Sequence, residues 1–289
     1  MQNGEFHTEV NGLKLWYKIQ GTGPLLFLPT AGWGVSAEEY FLTMTNLTDA
    51  FTLVYHDTRG TGRSQKPAST KQYKYIDFAS DFEGLRRVLN KEKLLVMGHS
   101  LGTALAVQYS LKYPEHCEGL VLLESYLESD EQHSKWVEQY ENKRSHQDWY
   151  SEVMKACEIN NYNSDKEFAE NVSARLPLYF HDQQNLKKAL PALDKSKASL
   201  HAWKGWADSE KMSVSYLESV SQIQCPVLMI VGDDDFICPP EASQRVQERI
   251  PNSILKVIKN SGHFPWIENP QDFREALLSG FKALFSSSP

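Results

Sequence analysis

The sequence predicts an α/β chain in which a mainly parallel, doubly wound sheet carries an inserted helical cap. Three observations predict it. Strand-like apolar runs alternate with helix-length segments through most of the 289 residues, the rhythm of a parallel sheet covered on both faces. One of those runs, "LLVMG", passes within a few residues into a helix-like pattern. The rhythm then stops between about residues 126 and 212, where no long β-branched run occurs.

Taken in order, the opening "FHTEVNGLKLWYKIQG" alternates about Asn11-Gly12, a strong signal for a two-residue hairpin. The runs "PLLFLP" and "FTLVYHD" predict the next two strands, and "IDFASDFEGLRRVLN" a helix. Leu94 to Gly98 read as a strand buried on both faces, because a half-buried strand would alternate with polar positions. Beyond them Leu101, Ala104, Leu105 and Tyr109 recur at three- and four-residue steps, as in an amphipathic helix. "GLVLLES" predicts a further strand. In the stretch that follows, Trp136, Trp149, Tyr179, Trp203 and Trp206 alternate with charges at helical spacings, which predicts the cap. "CPVLMIVG", "ILKVIKN" and the helical "PQDFREALLSGFKALF" close the chain. The expected division is a core of residues 1–125, a cap of 126–212 and a second core segment of 213–289.

Thirty Lys and Arg against 37 Asp and Glu give a formal charge of −7, which disfavours nucleic acid or an anionic membrane as the main partner. A small molecule or peptide is expected instead. The first residues carry Glu5 and Glu9 and no uninterrupted apolar region, so neither a secretory signal nor a membrane span is visible, and a cytoplasmic location is expected. Cys117, Cys157, Cys225 and Cys238 form no C-x-x-C pair and no metal-ligand spacing. They read as free structural thiols, and neither metal nor cofactor is expected.

Ser100 carries the chemical signal. It lies on the strand-to-helix turn with Gly98 and Gly102 two residues to either side, the G-x-S-x-G pattern of a nucleophile elbow. A serine hydroxyl needs a base to take its proton, and the base needs a carboxylate to fix its tautomer and stabilise its charged form. In a doubly wound sheet such groups gather beyond the carboxyl ends of the strands. "DDDFICPP" follows one predicted strand and "SGHFPWIENP" the last, so an acid and His263 emerge where Ser100 does. His56 and His99 read as packed or hydrogen-bonded residues. Among Asp233, Asp234 and Asp235 the acid stays open, since on an extended strand end the first and third point the same way.

The motifs "GWGVSAEEY", "DTRGTGRS", "GHSLG", "GDDDFICPP" and "NSGHFPWIENP" together resemble the α/β-hydrolase superfamily, and within it the branch that includes prolyl iminopeptidases. The resemblance covers nearly the whole chain. It implies a serine hydrolase that forms an acyl-enzyme from a small-molecule ester, amide or short peptide. It also selects Asp235, last residue of the tetrad Gly232 to Asp235, with Asp233 in reserve. The family's His-Gly after the first long strand is replaced by Ala31-Gly32, and aligning "AGWG" on it makes Trp33 and Leu101 the backbone donors of an oxyanion hole, with Gly32 or Ala31 as alternatives. In "DTRGTGRS" the glycines serve a tight turn and Asp57 or Arg59 a local ion pair. The resemblance favours a prolyl-iminopeptidase-like aminopeptidase over a carboxylesterase, with a ligand-sensing protein on the same fold as a third reading. An aminopeptidase must hold a substrate ammonium, and Glu124, Asp208 and Glu210 are the candidate acids, with Trp203 and Trp206 as pocket rings.

Overall fold

The computed structural model describes residues 1–210 and 215–285, so the expected boundary at Met212 lies outside the described residues, as does the side chain of Glu210. Eight strands form one sheet: β1 (Gly4–Val10), β2 (Leu13–Gly21), β3 (Leu25–Pro29), β4 (Thr52–Asp57), β5 (Leu94–His99), β6 (Cys117–Leu123), β7 (Val227–Gly232) and β8 (Ser253–Ile258). Their spatial order is β1-β2-β4-β3-β5-β6-β7-β8. From β4 to β8 all neighbours are parallel; β2 alone runs against both of its neighbours. The β1-β2 hairpin turns at Asn11 and Gly12, whose φ of 51° and 75° suit the mirror-image turns that match strand twist.

The helices are α1 (Glu38–Phe41), α2 (Tyr75–Val88), α3 (Gly102–Lys112), α4 (Glu131–Asn142), α5 (Tyr150–Glu158), α6 (Asp165–Tyr179), α7 (Gln183–Leu193), α8 (Leu200–Glu210), α9 (Pro240–Gln247), α10 (Pro265–Glu268) and α11 (Pro270–Phe285). Helices α4 to α8 fill the connection between β6 and β7, where the sequence rhythm breaks. Alternate strand residues feed different cores, as expected when both faces are covered. Val96, Leu120 and Met229 join Phe82, Leu105 and Tyr109 of α2 and α3 on one face. Leu95, Met97, Val121 and Leu228 join Phe273 and Leu277 of α11 on the other.

Candidate active site

The turn after β5 is tight enough to need its glycine. A Cβ on Gly98 would stand 2.4 Å from the Gly102 carbonyl oxygen and 2.8 Å from the Thr103 Cα. Ser100 at its apex has φ of 54°, a left-handed conformation that costs a non-glycine residue about 1 kcal/mol or more and persists only where its surroundings enforce it. Here they do: the Ser100 N–H donates to the Leu123 carbonyl at 2.9 Å, and the Ser100 carbonyl accepts from the Thr103 N–H at 3.0 Å and its hydroxyl at 2.6 Å.

The carboxyl ends of β7 and β8 supply the other groups. His263 Nδ1 lies 2.6 Å from Asp235 Oδ2, both side chains being buried. The Asp235 Oδ1 accepts from the N–H groups of Ile237 at 3.0 Å and Cys238 at 3.2 Å. Burial raises the Asp235 carboxyl, but the charge and hydrogen bond of His263, helped by Glu124 and the Cys238 N–H, outweigh it and hold the group at about 2. An ionised Asp235 accepts a hydrogen bond from the Nδ1–H of His263, which leaves Nε2 of the neutral ring as the basic nitrogen. The three aspartates do not alternate as on a strand, because β7 ends at Gly232 and the run turns. Asp233 pairs with Lys259 at 3.4 Å, and Asp234 with Arg144 and His181 at 3.0 and 2.9 Å; among the three only Asp235 bonds to the imidazole.

The histidine loop is held from both sides. His263 N–H donates 2.8 Å to the carbonyl of Tyr179 at the end of α6, and Gly262 N–H donates 2.7 Å to Glu268. The His263 carbonyl accepts from His99 Nε2 at 3.0 Å, and His99 Nδ1 lies 3.2 Å from the Tyr40 hydroxyl. Burial first, then the neighbouring His263, push His99 well below the usual imidazole value, so it is a neutral hydrogen-bonding residue, as expected. His56 is likewise buried, bonded to the Trp16 carbonyl at 2.8 Å, and lowered to about 4 by burial.

Ser100, Leu101, His263, Ala31 and Trp33 line one cavity of about 290 Å³, with Tyr126, Tyr162, Phe168, Tyr179 and Trp206 among its walls. No hydrogen bond among the described residues uses the N–H of Ala31, Gly32, Trp33 or Leu101. Gly32 contributes nothing to the lining, whereas the other three do. Asp57 and Arg59 both pair locally, with Arg63 at 2.5 Å and Asp81 at 2.7 Å.

Two expected substrate contacts are corrected. Glu124 is fully buried behind Asp235, its Oε1 accepting the Gly232 N–H at 2.9 Å. Burial and the Asp235 charge push its carboxyl far above the ordinary range, so it is a neutral acid behind Asp235 rather than a charge facing substrate. Trp203 is no part of the cavity lining; it packs on Tyr162 and Phe168, with ring centroids at 5.2 and 5.9 Å, one layer behind the wall. Trp206 does line the cavity, and Asp208 is exposed away from it. Sequence reasoning missed Glu39 and Arg175 in the lining, and Cys238 beneath the site. The ligand atoms of Asp235, Cys238 and His263 all lie within 4.8 Å of one another, the one such trio among the described residues. Burial and the Asp235 and Glu124 carboxyls push the Cys238 thiol far up, against a hydrogen bond with Ser100, so it stays a protonated thiol rather than a ready metal ligand.

The model of the alpha/beta hydrolase fold family matches residues 23–270. The chain belongs to the α/β-hydrolase family. It is a hydrolase, and its expected resemblance to the prolyl iminopeptidase branch is borne out. The chain is 27% identical over 266 residues to the proline iminopeptidase PfmaB of Pestalotiopsis fici, across 90% of this chain and 93% of that protein. A proline iminopeptidase-related protein of Thermus thermophilus superposes with a TM-score of 0.76 at 20% identity over the full length of both chains. An alpha/beta fold family hydrolase of Bacillus anthracis gives 0.79 at 18% identity, over 97% of this chain and all of the other.

Proposed function

We propose that this hydrolase cleaves an ester or amide of a small molecule through an acyl-enzyme on Ser100. The observation that carries the reading is the buried, ionised Asp235 at 2.6 Å from His263 Nδ1, with His263 and the strained Ser100 turn facing one cavity. His263 Nε2 takes the Ser100 proton as Oγ attacks the acyl carbon, and Asp235 stabilises the imidazolium that forms. The N–H groups of Trp33 and Leu101 receive the developing oxyanion. His263 then returns the proton to the leaving group, and a water activated by the same nitrogen releases the acyl group. No step calls on a metal or cofactor.

For the substrate, the named activity of the fungal relative favours an aminopeptidase. The lining itself supports a carboxylesterase as second reading, because aromatic and aliphatic side chains dominate it and Glu124 is not among them. The experiment is a turnover screen across aryl esters of increasing acyl length and aminoacyl arylamides, with Ser100→Ala as blank. Many turnovers per chain, abolished in Ser100→Ala, are expected. Release of at most about one product per chain would instead favour a ligand-sensing protein.

A further inference from the structure

The loop that carries the Trp33 N–H does not hold its own shape. Gly32 and Gly34 flank Trp33 with φ of 86° and 112°, a region open to glycine alone at little cost, so the direction of that N–H is set by what the loop touches. Its two ends are fixed to the sheet. At one, the Thr30 N–H donates to the His56 carbonyl at 2.9 Å; at the other, the Ala37 N–H donates to Asp57 Oδ1 at 2.8 Å. Between them, from Ala31 to Ser36, the backbone makes two hydrogen bonds among the described residues, and both go to the cap. The Ser199 N–H donates to the Gly34 carbonyl at 2.8 Å, and the Ser36 N–H to the Lys197 carbonyl at 3.0 Å. Val35 and Ala198 pair antiparallel between these two bonds. The approach is close, since a Cβ on Gly34 would stand 2.5 Å from the Ser199 carbonyl oxygen.

Ser36 joins this clasp to the sheet. Its side chain is fully buried; Oγ accepts the Lys197 N–H at 2.7 Å, and the hydroxyl donates to Glu38 Oε2. Glu38 Oε1 takes the Arg63 guanidinium at 2.5 Å. Arg63 in turn reaches Asp57 Oδ2 at 2.5 Å with its side chain and at 2.9 Å with its N–H. Asp57 is the last residue of β4, and its other oxygen is the one that holds Ala37. A charged chain anchored on the sheet therefore ends on one hydroxyl, and that hydroxyl receives the cap. A hydroxyl suits the place because it accepts and donates at once. Alanine there would leave the Lys197 N–H and Glu38 Oε2 without that partner.

We propose that Ser36 is a positioning residue for acyl transfer. Its hydroxyl ties the cap segment from Lys197 to Ser199 to the sheet across the loop, and so fixes where the Trp33 N–H points as charge develops on the acyl oxygen. Seating of the cap on the core thereby completes the oxyanion hole. The proposal rests on the serine-hydrolase reading, in which that N–H receives the oxyanion. A donor that matters only as the oxyanion forms shows its displacement in kcat and in the binding of transition-state analogues, and leaves ground-state binding alone.

Ser36→Ala should lower kcat on phenyl acetate by about 10- to 100-fold with KM within about twofold, since a misplaced donor is felt in the transition state. Lys197→Pro removes the same hydrogen bond from the exposed cap side and should give the same split. Should Ser36→Ala fail to fold, Lys197→Pro carries the test alone; where both fold, the double variant should be no slower than the slower single one. Two ketones read the hole itself. With phenyl trifluoromethyl ketone, Ser100 Oγ bonds to the carbonyl carbon, its proton passes to His263 Nε2, and the carbonyl π pair becomes the oxyanion of a hemiketal. Acetophenone keeps the ring and the carbonyl but is too weak an electrophile to add. By calorimetry both variants should bind the trifluoromethyl ketone at least about tenfold more weakly than the wild type, and acetophenone within about twofold of it. A loss confined to KM, an equal loss for the two ketones, additive losses in the double variant, or unchanged kcat in either folded variant would each overturn the proposal. Failure of the serine-hydrolase reading itself would show differently, as Ser100→Ala binding the trifluoromethyl ketone as tightly as the wild type.

Discussion

The floor and the walls of the Ser100 cavity are built by different rules. The floor is the carboxyl edge of the sheet: Ser100, Asp235 and His263 each follow a strand within a few residues, and each is fixed by backbone hydrogen bonds to neighbouring strands or loops. The walls come from α1, α6, α8 and the loops before α4 and α6, and they meet through packing of rings that are far apart in sequence. Polar geometry near 3 Å governs the floor; apolar contact governs the walls. The difference teaches where a substitution should change chemistry and where it should change only what is bound.

The floor is where the largest effects are expected. Asp235→Asn should keep the protein folded and lower kcat by on the order of 10³ to 10⁴, since an amide admits the wrong imidazole tautomer. Asp233→Asn, which loses only a half-exposed pairing with Lys259, should stay within about twofold. Steady-state kinetics on one aryl ester checks both. The reverse ranking would move the acid two residues and break the comparison at its strongest point.

The walls should respond in KM. Trp206→Ala removes a lining ring and should raise KM for an aryl substrate by about tenfold with little change in kcat. Trp203→Ala removes a ring from the layer behind and should instead lower stability by about 2 kcal/mol in chemical denaturation, with KM within about twofold. Equal KM effects would show that the wall is not layered as described.

Glu124 sharpens the boundary between floor and wall with the smallest effect. Glu124→Gln keeps an acceptor for the Gly232 N–H and, like the neutral acid, brings no charge beside Asp235, so activity should stay within about threefold and no substrate preference should change. Glu124→Leu leaves that buried N–H unpaired and should cost about 1–3 kcal/mol by urea unfolding. A Gln variant that loses discrimination between free and blocked amines would return Glu124 to the substrate.

How much of this was legible in the sequence follows the same division. The strands, the elbow and the positions of His263 and the acidic turn could be read because each is a local pattern followed by a residue of distinctive chemistry. Choosing Asp235 among three aspartates needed the family resemblance, because the turn after Gly232 abolishes the alternation a strand would show. The walls were half legible. Trp206 and Trp203 share one helix three residues apart, and only the packing of Tyr162 and Phe168 decides which one reaches the cavity. Glu124 misled because its place just after β6 is the same as Ser100's after β5, and both have positive φ, of 47° and 54°. Its burial depends on Asp235 and Gly232, more than 100 residues away. Glu39 left no signal beyond an acidic first turn in "AEEY", since Arg63 claims one of two adjacent glutamates and the sequence does not say which.

Covalent labelling of Ser100 tests the central claim most directly. An aryl fluorophosphonate is attacked only by an activated serine, and its adduct then stays on the oxygen that formed it. Intact-mass and peptide analysis should find one adduct per chain, on the peptide that contains Ser100. It should be absent from Ser100→Ala and strongly slowed in His263→Ala. Labelling that proceeds at the wild-type rate in either variant would contradict the account, because the reacting serine would then lie elsewhere or need no base.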